Sequence, residues 1–162
     1  MNTGFTVMRL QPFHKGHQKI IDKMLKENSK AVLFIGSADT YNEKNPFSFK
    51  ERLKMVKCIY KDEIKNKKLI VCAINDIHNP PLWANHVKSK LPIQANCYYC
   101  GTGQDAALFK REGFKTVKIN RCKLKISGTE IRKKLKTGDS SWQNDVPSLI
   151  HHIIQKSEGG LK

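Results

Sequence analysis

Gly4-Phe-Thr-Val-Met-Arg-Leu-Gln-Pro-Phe-His-Lys-Gly-His17 is the stretch on which the fold turns. Its first half, Gly4 to Leu10, has the branched and apolar residues of a strand. Its second half cannot continue that strand, because Pro12 has no backbone donor and Gly16 allows a tight turn. Beyond the turn, Ile20, Ile21, Met24 and Leu25 recur at helical spacing, which predicts a helix over Gly16 to Glu27. The chain therefore begins as strand, turn, helix.

The same alternation runs onward. Ala31 to Ile35 predicts a second buried strand, and Ser48-Phe-Lys-Glu51 has the form of a capping box. The helix it opens is expected to reach about Lys61, with Leu53, Val56, Ile59 and Tyr60 inward. Further strands are expected over Lys68 to Ile74, Asn96 to Cys100 and Thr116 to Asn120. Helices are expected over Leu82 to Lys90 and over Gln104 to Glu112, the latter closed by Gly113. A second capping box, Ser127-Gly-Thr-Glu130, opens a helix to about Thr137, and Val146 to Lys156 reads as the last helix. Strands alternating with helices imply an α/β protein: a doubly wound, parallel five-stranded sheet with helices on both faces. Residues 1–157 read as a single domain, with a loose tail over 158–162.

Composition narrows the function classes without choosing one. Hydrophobic residues make up 39% of the 162, in compact runs that suit one core and leave no stretch of membrane-spanning length. Met1 to Leu10 is followed by Pro12 and His14, which gives no signal-peptide core, so the reading is a cytoplasmic protein with no membrane partner. The five cysteines, Cys58, Cys72, Cys97, Cys100 and Cys122, fit reduced thiols better than a disulfide framework. Cys97-Tyr-Tyr-Cys100 has the spacing of half a zinc site, but nothing completes it and the tyrosines suit a buried strand. The net charge of +16 attracts anions of some kind. Its lysines are scattered along nearly every helix rather than gathered with aromatics into a nucleic-acid stripe.

In a parallel sheet, ligands bind beyond the carboxyl ends of the strands. That directs attention to the loops after each strand. The first carries Arg9, His14, Lys15 and His17, at the start of a helix whose N-terminal N–H groups are expected to offer positive dipole character. By spacing alone, such a histidine pair is more often a surface feature or half a zinc site than a catalytic pair. The Pro-x-His-x-Gly-His setting favours the anion. At the other end of the chain, Ser127, Gly128 and Thr129 form a helix start able to cradle phosphate. Arg132, one turn in, brings a guanidinium suited to bidentate binding.

These residues resemble a known family. Arg9 to His17 is similar to the His-x-Gly-His signature of the nucleotidyltransferase superfamily, and especially to nicotinamide mononucleotide adenylyltransferases of the archaeal type. Asn45-Pro-Phe-Ser48 with Glu51-Arg52 resembles that family's Asn-Pro-Phe-Thr and Glu-Arg segment. Asp76-Ile77 with Trp83 is similar to its nicotinamide-side loop, and Ile126 to Arg132 to its second phosphate-binding signature. Trp142 to Pro147 looks like its C-terminal segment. One departure stands out: the family commonly has asparagines two and four residues after the aspartate, where this chain has His78 and Pro80.

The resemblance implies a Rossmann-like nucleotidyltransferase fold and transfer of AMP from ATP to nicotinamide mononucleotide, giving NAD and pyrophosphate. It implies catalytic roles for His14, His17, Arg9 and Arg132, and ATP-phosphate binding by Lys15, Ser127, Gly128 and Thr129. Thr102, Gly103 and Gln104 would lie on the adenosine side. Gly36, Ser37, Asn45, Arg52, Asp76, His78 and Trp83 would form the acceptor side. Magnesium would arrive with ATP, with no metal ligands supplied by the chain, and the family implies a homo-oligomer. The high charge suggests a leaning toward the acidic form of the mononucleotide. Two other readings share much of the pattern. One is adenylyl or cytidylyl transfer to another phosphate-bearing acceptor, such as phosphopantetheine or FMN; the other is a nonenzymatic nucleic-acid or nucleotide binder, suggested by charge.

Overall fold

Five parallel strands form one sheet in the order β3-β2-β1-β4-β5 in the computed structural model, which describes residues 2–101, 103, 105–120 and 125–157. They are β1 (Thr3–Met8), β2 (Lys30–Ile35), β3 (Leu69–Ala73), β4 (Cys97–Cys100) and β5 (Lys115–Lys118). The chain winds outward from β1 through β2 to β3, then crosses back to lay β4 on the other side of β1. Along β1, Thr3 to Met8 pair with Lys30 to Ile35 on one edge, and Gly4 and Phe5 with Cys97 and Tyr98 on the other. The winding reverses between β1 and β4, so a crevice opens beyond their carboxyl ends.

Among the described residues, seven helices cover the sheet: α1 (Lys15–Glu27), α2 (Phe49–Ile59), α3 (Lys61–Lys65), α4 (Pro80–Ser89), α5 (Ala106–Arg111), α6 (Gly128–Thr137) and α7 (His151–Lys156). The alternation of side chains along β2 divides the core. Ala31, Leu33 and Ile35 join the cluster containing Ile21 and Met24 of α1, Met55 of α2, Ile131 of α6 and Ile154 of α7. Val32 and Phe34 face the opposite way, into a cluster with Phe5, Tyr98, Ala84 and Val87 of α4 and Phe109 of α5. Both faces are thus buried, as the doubly wound reading requires. Gly4 lets the end of α1 approach closely: a Cβ there would meet Met24 Cγ of α1 at 2.9 Å and Asn28 Nδ2, just past its end, at 2.8 Å.

The same alternation removes the zinc reading of Cys97 and Cys100. Three residues apart on one strand, they enter opposite clusters and lie on opposite faces of the sheet.

Several predicted boundaries move for identifiable reasons. The long second helix breaks at Tyr60, whose buried hydroxyl donates to Asp22 Oδ1 at 2.8 Å, and α3 follows it. The fourth helix starts earlier than expected, because Pro80 and Pro81 fill its first turn, where a missing N–H costs nothing. The expected helix from Val146 cannot run through Pro147, whose ring disfavours helical geometry in the residue before it. A short 3₁₀ turn over Ser148–Ile150 leads into α7 instead. Among the described residues, no helix is long and apolar enough to cross a membrane.

Candidate functional site

The turn after β1 is built around its histidines. His14 is the N-cap of α1, with extended backbone, and its Nδ1 accepts the Gly16 N–H at 3.1 Å. His17 Nδ1 in turn accepts the His14 N–H at 3.3 Å. A ring that accepts at Nδ1 carries its proton on Nε2, so both imidazoles are fixed as Nε2–H donors. Their rings stack with centroids 3.6 Å apart, which makes them one unit.

This arrangement corrects one expectation. The first-turn amides of α1 are not open to an anion: Lys15 N–H donates to Asp145 O at 3.0 Å, Gly16 N–H to His14, and His17 N–H to His14 O at 2.9 Å. The first turn of this helix therefore leaves its amides satisfied within the protein, and only side chains there remain to meet an anion. Lys15 also places its ammonium 2.7 Å from Asn144 O, which ties the turn to the segment after α6.

α6 meets the same turn from the other side. Arg132 Nη1 donates to Gln11 O at 2.6 Å, and Nη2 to Thr129 Oγ1 at 3.2 Å. A Cβ on Gly128 would stand 2.7 Å from Gln11 O, so only glycine allows this approach. Ser127 caps the helix by accepting the Glu130 N–H at 3.2 Å, without the reciprocal carboxylate bond a full capping box would add. The amides of Gly128 and Thr129 make no hydrogen bond among the described residues. Burial lowers the pKa of Arg132, and the like charge of exposed Arg9 lowers it further. Two guanidinium groups sharing one volume are relieved by an anion between them.

Gln11 joins these parts, and sequence reasoning passed over it. Its side chain clasps the backbone of Phe47 twice, Nε2 donating to the carbonyl and Oε1 accepting the N–H, both at 2.9 Å. The loops after β1 and β2 and the start of α6 therefore converge on one residue. It lay inside the quoted signature, but an uncharged amide gave no chemical signal. Next to it, Leu10 is fully buried with φ of 55°, and Ser37 (47°) and His78 (50°) repeat this left-handed geometry on the loops after β2 and β3. Such strain gathers at functional loops.

The acceptor-side assignments divide. Arg52 needs correction: it is completely buried and its guanidinium is spent on backbone carbonyls. Nη1 donates to Arg9 O (2.8 Å) and Gly36 O (2.7 Å), Nη2 to Ser37 O (3.0 Å) and Nε to Ser48 O (3.4 Å). It holds the β1 and β2 loops in place rather than reaching a ligand. Burial lowers its pKa, while Asp76 and Glu51 act in the opposite direction. Asn45 is buried, donates from Nδ2 to Asn42 Oδ1 at 3.1 Å, and keeps its own Oδ1 without a partner among the described residues.

Asp76, His78 and Trp83 do come together. With Ile77, Asn79, Pro80, Asp105 and Leu108 they line a cleft of about 470 Å³. Asp76 Oδ2 accepts the Ser37 hydroxyl at 2.6 Å, linking this cleft to the β2 loop. Trp83 is half-buried, packing on the Phe5 cluster while also walling the cleft, so its core and ligand readings coexist. Pro80 supplies no donor, yet as the first residue of α4 it fixes where Trp83 stands, one turn in. Asp105 was missed because nothing in its sequence context marks it. Gly103 has φ of 76° and lies against the Lys118 side chain. Thr102 and Gln104, and the tail over 158–162, lie outside the described residues.

Known proteins share this pattern. The cytidylyltransferase-like family model matches residues 9–134. A nicotinamide-nucleotide adenylyltransferase of Picrophilus torridus is 33% identical over 159 residues, covering 96% of this chain and 92% of its own. Its counterpart from Archaeoglobus fulgidus is 34% identical over 165 residues, with the same coverage of 96% and 92%. Among solved structures, a bifunctional NMN adenylyltransferase/ADP ribose pyrophosphatase from Francisella tularensis, complexed with AMP and a Mn ion, superposes with a TM-score of 0.68 at 23% identity. That likeness covers 85% of this chain but 42% of the longer one, so it speaks to the fold alone. With a family match spanning both the His14–His17 turn and the start of α6, and archaeal relatives a third identical over nearly the whole length, the chain belongs to the nicotinamide-nucleotide adenylyltransferases of the cytidylyltransferase-like family.

Proposed function

We infer that the chain transfers the adenylyl group of ATP to nicotinamide mononucleotide, forming NAD and pyrophosphate. The observation that carries this reading is the convergence on Gln11: its side chain clasps the Phe47 backbone, its carbonyl accepts from Arg132, whose guanidinium feels the charge of Arg9, and the stacked His14–His17 pair follows in the same turn. The acceptor cleft under Trp83 adjoins it through Ser37 and Asp76.

The chemistry asks for positioning rather than for a base. The acceptor is a phosphate monoester whose second pKa is about 6, so its oxygen is already anionic near pH 7. That oxygen attacks the α-phosphorus, the bond to the β-phosphate breaks, and pyrophosphate leaves with the electron pair. His14, His17, Arg9 and Arg132 offset charge that grows on the phosphoryl oxygens, and their fixed geometry avoids reorganisation during reaction. Lys15 and the start of α6 hold the ATP phosphates, while Gly36, Ser37 and Asn45 border the acceptor. Trp83 faces a pyridinium ring that carries a positive charge, which an indole attracts.

Magnesium suits this donor set. Among the described residues no three His, Cys, Asp or Glu side chains gather as a metal cage, and Mg²⁺ favours substrate phosphates and water. Arriving on the triphosphate rather than on the chain's own side chains, it would supply charge neutralisation for the departing pyrophosphate. Homo-oligomeric assembly and a cytoplasmic site of action belong to the same reading.

The test is pyrophosphate release from MgATP with nicotinamide mononucleotide, phosphopantetheine or FMN offered separately. The expected result is release with the mononucleotide only, with NAD as the second product. Release with another acceptor overturns the acceptor assignment and leaves the phosphate site standing; silence with all three contradicts the reaction.

A further inference from the structure

The cleft under Trp83 has a charge character opposite to that of the chain. The chain carries +16, yet among the described residues the titratable ones lining the cleft are Asp76, His78 and Asp105, with no lysine or arginine. The leaning toward an acidic acceptor suggested by overall charge is therefore reversed where the acceptor's ring would lie.

The two carboxylates differ in their surroundings. Asp76 is engaged: it accepts the Ser37 hydroxyl at 2.6 Å, and its charge acts on buried Arg52. Asp105 stands at the N-cap of α5, where an aspartate ordinarily accepts a first-turn amide. Its backbone is helical (φ −88°, ψ −7°) rather than extended, and its side chain makes no capping bond. Nor does its carboxylate have a hydrogen bond or ion pair among the described residues; the residue is exposed, and desolvation on its protein-facing side pushes its carboxyl pKa up. Among the described residues, Asp105 is thus the cleft carboxylate that no hydrogen bond or ion pair engages.

Nicotinamide and nicotinic acid mononucleotides share the cationic ring and the phosphate, and differ in one ring substituent. The carboxamide is neutral and offers N–H donors; the carboxylate is an anion. We propose that Asp105 makes this cleft select the carboxamide mononucleotide over its carboxylate counterpart, by accepting from the amide and repelling the acid. The inference rests on the adenylyl-transfer reading above. Two charges within one cleft at an effective dielectric near 20 repel strongly enough for at least about a tenfold preference.

The experiment compares kcat/KM for the two mononucleotides in the wild type, Asp105→Asn and Asp105→Glu, with KM for ATP read alongside to report on the fold. The wild type is expected to prefer the amide. Asp105→Asn should lower the amide-to-acid ratio about tenfold, chiefly through better use of the acid, and Asp105→Glu should retain most of the preference. An unchanged ratio in an Asp105→Asn protein with wild-type KM for ATP, or a wild type that prefers the acid, overturns the proposal. A second measurement needs no variant: the wild type's binding preference for NAD over its nicotinic acid analogue should narrow as salt rises. A preference indifferent to salt contradicts a charge origin. A wild type that turns over neither mononucleotide removes the parent reading, whereas one that uses both with the ratio unmoved by Asp105→Asn removes only this inference.

Discussion

The two ends of the crevice are built on different terms. At the end proposed to bind phosphate, nearly every named side chain is already held. Both imidazoles are fixed through Nδ1, Arg132 is anchored on Gln11, and Gly128 lets α6 press against the β1 turn. At the acceptor end, the cleft walls are exposed or half-buried, Asp105 is uncommitted, and Trp83 leans on the edge of a core cluster. Under the function proposed above, the difference is a division of labour. Groups that must meet a charge developing in the transition state are preorganised, because any reorganisation there would subtract from rate. Groups that choose the acceptor need only favour one bound ground state over another, and tolerate looser support.

Each consequence of that division can be broken by a variant. The largest effect belongs to His17→Ala, which removes one donor and unstacks the other; kcat should fall about 10²–10³-fold with the circular dichroism spectrum unchanged. Wild-type turnover in this variant would remove the imidazole pair from the mechanism. Next comes Gly128→Ala. Its Cβ would stand 2.7 Å from a backbone carbonyl, and overpacking of this kind costs about 1–3 kcal/mol. A lowered Tm together with a raised KM for ATP is expected, and a neutral result in both would show that α6 and the β1 turn are not pressed together. A smaller effect is expected of Trp83→Ala: KM for the mononucleotide should rise about tenfold, with KM for ATP unmoved. A change confined to kcat would transfer Trp83 to the phosphate end.

What was legible in the sequence follows the same line. β1, the β1 turn and the Ser48 capping box were readable because each depends on neighbours along the chain: alternation, a proline and glycine in the turn, a hydroxyl three residues before a carboxylate. The two-faced sheet was readable from alternating strands and helices. What was not readable depends on contacts between distant segments. Arg52 looks like a ligand-binding arginine in one dimension and becomes a buried brace only when the β1 and β2 loops close over it. Gln11 gains its role from Phe47 and Arg132, 36 and 121 residues away. Asp105 enters the Trp83 cleft only because α5 packs beside α4 on the same sheet face.

The central claim is that rate and acceptor choice are separable. A double-mutant cycle between His17→Ala and Trp83→Ala, read as kcat/KM for NAD formation, tests it most directly. Independent ends require the two losses to multiply to within about a factor of two, the ordinary limit for sites that share no partner. A double variant no worse than His17→Ala alone would mean that the cleft and the phosphate site act as one unit, and the division drawn here would fall.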